Sequence, residues 1–165
     1  MTKPDPAALR PAFSRFPSGV AAIASVVDGT PTGLVASSFT VGVSMDPPLV
    51  SFAIQNTSST WPTLRNARRL GISILGSEQA TACRQLASKS GDRFEGLEIF
   101  ENDLNALFIA GACLWLECEI LNEVPAGDHA VVLLEVMSLR EHPDQEPLVF
   151  HGSSFRRLHT EQIVN

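Results

Sequence analysis

The spacing of apolar side chains along this chain is mostly that of β-strands. Residues 20–27 (VAAIASVV) and 33–43 (GLVASSFTVGV) are rich in small and β-branched residues. Between them, Asp28, Gly29, Thr30 and Pro31 predict a hairpin that turns on Asp-Gly. After the Asp46-Pro47-Pro48 punctuation, LVSFAIQ (49–55) predicts a strand that ends at Gln55 and Asn56. LGISIL (70–75) predicts another. In LWLECEIL (114–121), Leu114, Leu116, Cys118 and Ile120 point one way and Trp115, Glu117 and Glu119 the other, which is the period of a strand. Two long strands are expected over 111–142, around a turn holding Pro125 and Gly127, and PLVFHGSSFRRL (147–158) adds one or two short ones.

Helical signals are brief. Asp5 before Pro6 predicts a cap and first turn, and Pro11 limits the helix that follows. NTSST (56–60) leads into a helical stretch in which Pro62 is tolerated only in the first turn. GSEQATACRQLAS (76–88) predicts a helix with Ser77 as cap and Glu78 in its first turn. KSGDRFEGLEIFEND (89–103) reads as a loop with isolated aromatics. Strand runs come as hairpins and no glycine-rich βαβ unit occurs, which disfavours a parallel dinucleotide-binding sheet. The pattern predicts a mainly β chain: an antiparallel, mostly closed sheet with short inserted helices.

Composition refines this without changing it. At 165 residues with 44% hydrophobic and 18% charged side chains, the chain suits one domain with a real core. The net charge of -6 disfavours nucleic acid and anionic membranes as partners. Cys83, Cys113 and Cys118 have neither disulfide nor metal spacing, so free thiols in a reducing compartment are expected, and no metal. No stretch has the length of a membrane span and the N-terminus has no apolar signal region; a cytoplasmic location is the default expectation.

Four features carry candidate chemistry. Thr57, Ser58, Ser59 and Thr60 exceed what a helix cap needs, so they read either as ordinary capping or as a phosphate cradle, to which Arg65 would add charge. Ser37 and Ser38, inside an apolar stretch, fit either a strand edge facing water or a wall where small side chains let a planar ligand approach and hydroxyls bond its rim. His129, just after a turn, is a solvated loop residue or a hydrogen-bonding and proton-carrying group. Lys89 and Arg93 belong either to a surface loop or to the cationic edge of a site. Glu117, Glu119 and Glu135 are expected to be solvated, and no nucleophile or phosphate-loop motif is present.

In order, RFPSGVAAIAS, GLVASSFTVGVSMDPPLVSFAI, SSTWPTLRNARRLGISIL, DRFEG, GDHAVVLLEV and PLVFHGSSFRRL resemble the short-chain flavin reductase family over residues 10–158. The resemblance implies an antiparallel Greek-key split β-barrel that binds FMN or FAD. It makes residues 1–165 a single unit with a polar tail at 159–165. The implied activity is an NAD(P)H-dependent flavin reductase, usually a homodimer, that supplies reduced flavin to a partner monooxygenase. Residue by residue, Ala36, Ser37, Ser38 and Phe39 match the segment along the flavin ring. Ala53, Asn56, Ser58, Ser59 and Thr60 match the ribityl and phosphate stretch, and Ala87, Ser88, Lys89 and Arg93 a loop over the phosphate or adenylate. His129 matches a histidine beside the nicotinamide nucleotide; His151, Gly152, Phe155 and Arg156 match a C-terminal segment near the flavin face. No catalytic acid or base is assigned, because hydride transfer from NADH or NADPH is direct. Phe150 and Phe155 stand where tyrosines are common, and the chain has no tyrosine, so stacking surface is kept and phenolic hydrogen bonds are lost. The alternatives are a flavin-binding protein that does not turn over and, ranked lower, a pyridoxamine phosphate oxidase-like enzyme, which would need a more basic phosphate pocket.

Overall fold

Asp5 acts as expected: its side chain accepts a hydrogen bond from the Ala7 N–H at 2.9 Å and starts α1 (Pro6–Phe13). The computed structural model describes residues 5–159, so all but the first residue of the polar tail lies outside the described residues. The chain continues through β1 (Ser18–Gly19), β2 (Ala21–Val27), β3 (Thr30–Ala36), β4 (Thr40–Met45), β5 (Pro48–Gln55), α2 (Trp61–Leu64), β6 (Leu70–Ile74) and α3 (Ala80–Leu86). It ends with β7 (Ile99–Glu101), β8 (Leu107–Ile109), β9 (Leu114–Ala126), β10 (His129–Glu141), β11 (Val149–His151) and β12 (Ser154–Arg156).

Seven strands form one antiparallel sheet in the order β3-β2-β6-β9-β10-β5-β4. Its edge strands, β3 and β4, are joined by residues 37–39 alone. So short a link between opposite edges forces the sheet to curl until they approach each other. The result is the expected split barrel, its seam lying beside Ser37 and Ser38. The Asp-Gly hairpin is present, with φ of 50° at Asp28 and 76° at Gly29, the left-handed pair that a tight β-turn requires.

Two cores flank the sheet. Ile23, Leu34, Phe52, Leu70, Ile72, Leu116, Cys118, Val132 and Leu134 fill the barrel, and Trp61 and Leu64 of α2 plug its mouth. Trp61 meets Phe52 edge-on at 5.4 Å and donates from Nε1 to Glu123 at 3.2 Å, which fixes α2 and the residues just before it. The second core lies under α3 and the β7–β8 hairpin and includes Ala22, Ala24, Leu75, Leu86, Phe94, Leu107 and Ile109. β2 is therefore buried on both faces and reads as an unbroken apolar run. Gly71 sits where β6 passes under β8, so close that an added Cβ would overlap the Leu107 backbone.

Several local expectations change. The N-cap position of α3 falls on Gln79, not Ser77, and without a side-chain cap bond: Gln79 Oε1 accepts from the Gly76 N–H at 2.8 Å while its Nε2 donates to the Ala110 carbonyl at 2.6 Å. The stretch read as a loop, 89–103, ends in β7. Phe100 of β7 and Phe108 of β8 cover Trp115, whose Nε1 donates to Ile109 O at 2.9 Å, so this outward face is not bare. Glu117 is also not solvated: Arg69 lies 3.5 Å away and Ser138 donates to it at 2.9 Å. Glu119 pairs with the same arginine. Cys118, sealed in the barrel, has its thiol pushed up to about 12 by burial and then by Glu117, and all three cysteines are free.

Candidate functional site

At the barrel seam lies a cavity of about 550 Å³, walled by the end of β3, the 37–38 link, the end of β5, residues 57–60, Ala87, Lys89, Arg93 and His129. Of the thirteen residues expected along the flavin, it brings together Ala36, Ser37, Ser38, Ala53, Ser58, Ser59, Thr60, Ala87, Lys89 and Arg93. The small wall follows from the seam, where small side chains leave room beside the backbone.

Ser38 builds that wall. Its hydroxyl donates to the Ala53 carbonyl at 3.1 Å and accepts from the Ala53 N–H at 3.0 Å, taking the place of a strand partner where β4 has stopped. It thus shapes the cavity and has no free donor for a ligand rim, a role the sequence did not disclose. Among the described residues, no hydrogen bond commits the Ser37 hydroxyl. We expect Ser38→Ala to lower stability by about 0.5–1.5 kcal/mol, the net worth of an exposed hydrogen bond to the Ala53 backbone. An unshifted urea midpoint would contradict this.

The opposite end is cationic. Arg93 donates from Nε to Ser88 O at 2.7 Å and from Nη1 to Gly33 O at 2.7 Å and Thr60 Oγ1 at 2.9 Å. One guanidinium thereby ties the loop after α3 to β3 and to the start of α2. Nη2 makes no hydrogen bond to protein among the described residues, so its two N–H groups remain for a ligand. Lys89 is exposed at the same end. Among the described residues no carboxylate lines this cavity, although the chain carries a net charge of -6. An anionic group is therefore attracted here, and a phosphate offers acceptor oxygens to the Nη2 donors and charge to Lys89.

The hydroxyl cluster divides between both readings. Ser58 Oγ accepts from Trp61 N–H at 3.2 Å, which is capping, and Thr60 is held by Arg93. Thr57 and Ser59 line the cavity with hydroxyls that no described hydrogen bond uses. α2 has only four residues, so its dipole is a minor source of positive potential. Arg65 adds none, because it pairs with Glu123 at 3.1 Å away from the cavity.

His129 reaches the cavity from the start of β10 and is half-buried. Its Nδ1 lies 2.7 Å from Asp128 Oδ1. That hydrogen bond and the histidine's charge hold the Asp128 carboxyl below its ordinary range. With the carboxylate ionised, Nδ1 carries the proton and Nε2 is left for a ligand.

The other expected residues stand apart. Phe39 packs on the barrel core. Asn56 donates from Nδ2 to Gly127 O at 3.2 Å and from its backbone to Asp128 O at 3.0 Å, so it steadies the turn that carries His129. Ser88 acts through its carbonyl on Arg93. His151 and Gly152 face α1, and Gly152 N–H donates to Ser14 O at 2.7 Å. Phe155 lies against Phe150 with the Arg84 guanidinium 5.0 Å from its ring centre, and Arg156 pairs with Val149 in the β11–β12 ladder. Missed in the sequence were Leu34, Val35, Ile54, Gln55 and Leu86, ordinary strand and helix residues that line the cavity only because their elements end there.

The flavin reductase-like domain model matches residues 13–159. A flavin reductase of Pseudomonas putida is 32% identical over 152 residues, covering 92% of this chain and 89% of the relative. The reductase subunit of a flavin-dependent monooxygenase from Rhodococcus jostii is 29% identical over 160 residues, covering 97% and 82%. The solved structure of a Streptomyces globisporus NADH:FAD oxidoreductase with NAD and FAD fragments superposes with a TM-score of 0.89 at 32% identity, covering 98% of this chain and 99% of that one. The seam cavity, the curled seven-stranded sheet and the matched span agree: the chain belongs to the flavin reductase-like domain family.

Proposed function

We propose that the protein is an NAD(P)H-dependent flavin reductase that binds FMN or FAD in the seam cavity and passes reduced flavin to a partner monooxygenase. The observation that carries this reading is the polarity of the cavity: small, strand-borne walls at one end, and at the other Arg93, Lys89 and free hydroxyls with, among the described residues, no carboxylate. A flat ring with a phosphate-bearing tail fits that sequence of surfaces.

When bound, a flavin would supply the redox chemistry, as the acceptor of a hydride from a nicotinamide. The chain holds and orients. Ala36, Ser37, Ser38 and Ala53 bound the ring, Thr57 and Ser59 offer hydroxyls along the tail, and Arg93 Nη2 with Lys89 holds the phosphate. His129, with its tautomer fixed by Asp128, presents Nε2 to the nicotinamide nucleotide. No side chain has to move a proton for the hydride step; rate comes from stacking the rings in contact and excluding water.

The assay crosses NADH and NADPH with FMN and FAD. Flavin-dependent oxidation of at least one nicotinamide is expected, and none in any pairing would overturn the reading. A yellow protein bleached by dithionite but by neither nicotinamide would mark a binder without turnover.

The same reading takes 1–165 as one flavin reductase-like unit that works as a homodimer in the cytoplasm. Supporting the dimer, edge strand β4 is exposed and apolar, with Val41 61% and Met45 85% accessible, and edges of this kind demand cover. No helix among the described residues is long and apolar enough to cross a membrane. Sedimentation as a monomer at micromolar concentration would contradict the dimer.

A further inference from the structure

The turn that carries His129 stands out from the sheet. β6 pairs with β9 only from Leu114 to Cys118, so on that side the far end of the β9–β10 hairpin has no neighbouring strand among the described residues. β5 supports the other side, and its last rung joins Gln55 to His129. Residues 124–128 beyond it are exposed. Glu123 ties β9 to Trp61 and Arg65 lower down, but reaches none of the turn residues. The tip is held instead by the residue that follows β5, Asn56.

Gly127 and Asp128 form a two-residue loop between the paired Ala126 and His129, with φ of 67° at Gly127 and no left-handed φ at Asp128. That is the pattern of a type II′ turn, which differs from type I′ by rotation of the peptide between its two central residues. Asn56 grips that peptide. Its Nδ2 donates to the Gly127 carbonyl at 3.2 Å, and its backbone N–H donates to Asp128 O at 3.0 Å. Rotation of the peptide would break the first bond and turn the Asp128 side chain, which lies 2.7 Å from His129 Nδ1. Gln55, Thr57 and His129 line the seam cavity, and Asn56 does not.

Resting on the reading of His129 as the contact to the nicotinamide nucleotide, we infer that Asn56 is a positioning residue for nicotinamide binding alone. It fixes the turn peptide so that Asp128 and His129 keep their places, and it takes no part in holding the flavin. His129 holds the nucleotide equally before and during hydride transfer, so loosening it raises KM and spares kcat.

The test compares the wild type with His129→Ala, Asn56→Ala and Asn56→Leu, the last of which keeps the bulk of the side chain without its donor. Each is measured for KM and kcat with the nicotinamide nucleotide that supports turnover, for FMN and FAD affinity by flavin fluorescence, and for its urea midpoint. Asn56 is exposed and its backbone bond to Asp128 needs no side chain, so both variants are expected to fold, and either one alone decides. Nicotinamide KM should rise about three- to tenfold, the worth of one hydrogen bond, with kcat and flavin affinity within about twofold of wild type. In a His129→Ala background the same substitutions should add nothing to KM. A loss of flavin affinity matching the rise in KM would overturn the proposal, making Asn56 a flavin contact or a brace for residues 57–60. An unchanged KM would overturn it too, as would an undiminished effect once His129 is absent. His129→Ala with wild-type KM would sink the proposal together with the nicotinamide reading of His129. Absence of flavin-dependent oxidation by the wild type would remove the reductase reading itself, which the other outcomes leave standing.

Discussion

Replacing Arg93 with alanine is expected to weaken FMN and FAD binding by about ten- to a hundredfold, the effect of losing a charged donor to a phosphate worth about 1.5–3 kcal/mol. Riboflavin, which has no phosphate, loses far less. The reason is the double duty of the guanidinium: Nε and Nη1 brace Ser88, Gly33 and Thr60, while Nη2 is left for the ligand. Arg93→Lys should recover only part of the loss, because an ammonium restores charge but cannot brace Ser88, Gly33 and Thr60 and still present two further donors to the ligand. Titration by flavin fluorescence separates the cases. FMN and riboflavin affinities that fall together would mean that Arg93 only braces the loop, and unchanged FMN affinity would remove it from the site.

Gly71→Ala should be the most damaging single methyl in the protein. An added Cβ meets the backbone of Leu107, not a side chain that can swing away. Relief requires β6 and β8 to separate, opening a layer in which Leu107 and Ile72 are almost wholly buried. Such overpacking costs at least the usual 1–3 kcal/mol, about the top of that range or beyond where backbone is the obstacle. The urea midpoint should fall sharply, and a midpoint within error of wild type would show that the two strands are less rigidly apposed than described. Gly29, open on every side, owes its place to its turn conformation instead.

How far the residues disclosed all this depended on the range over which each acts. Asp28-Gly29 and Asp46-Pro47 marked their turns because turn chemistry is local. The alternation from Leu114 to Ile120 gave the barrel-facing side of β9 correctly. It misjudged part of the other side: Trp115 and Glu117 face Phe100, Phe108 and Arg69 from distant segments, while Glu119 stays exposed as expected. α3 starts at Gln79 and not at Ser77 for the same reason: the Gln79 side chain is held by Gly76 and by Ala110, a distant residue that no helix rule contains. At the site, the hydroxyls do exceed what capping needs: one caps α2, one holds Arg93, and two line the cavity without a described hydrogen bond. The two readings of Ser37 and Ser38 meet in one place, a strand seam that is also a cavity wall. What stayed hidden was that Ser38 spends its hydroxyl on Ala53. The bearing of His151 and Phe155 on the site likewise needed the fold, which sets them against α1 and α3.

The central claim is that the seam cavity holds flavin where a nicotinamide can reduce it. Anaerobic stopped-flow tests this directly, mixing the flavin-loaded protein with NADH or NADPH and following loss of the flavin band. Rapid bleaching by at least one nicotinamide, slowed in Arg93→Ala in proportion to lost flavin occupancy, is the predicted result. Bleaching no faster than with free flavin, or equally fast when Arg93 is absent and flavin unbound, would contradict it.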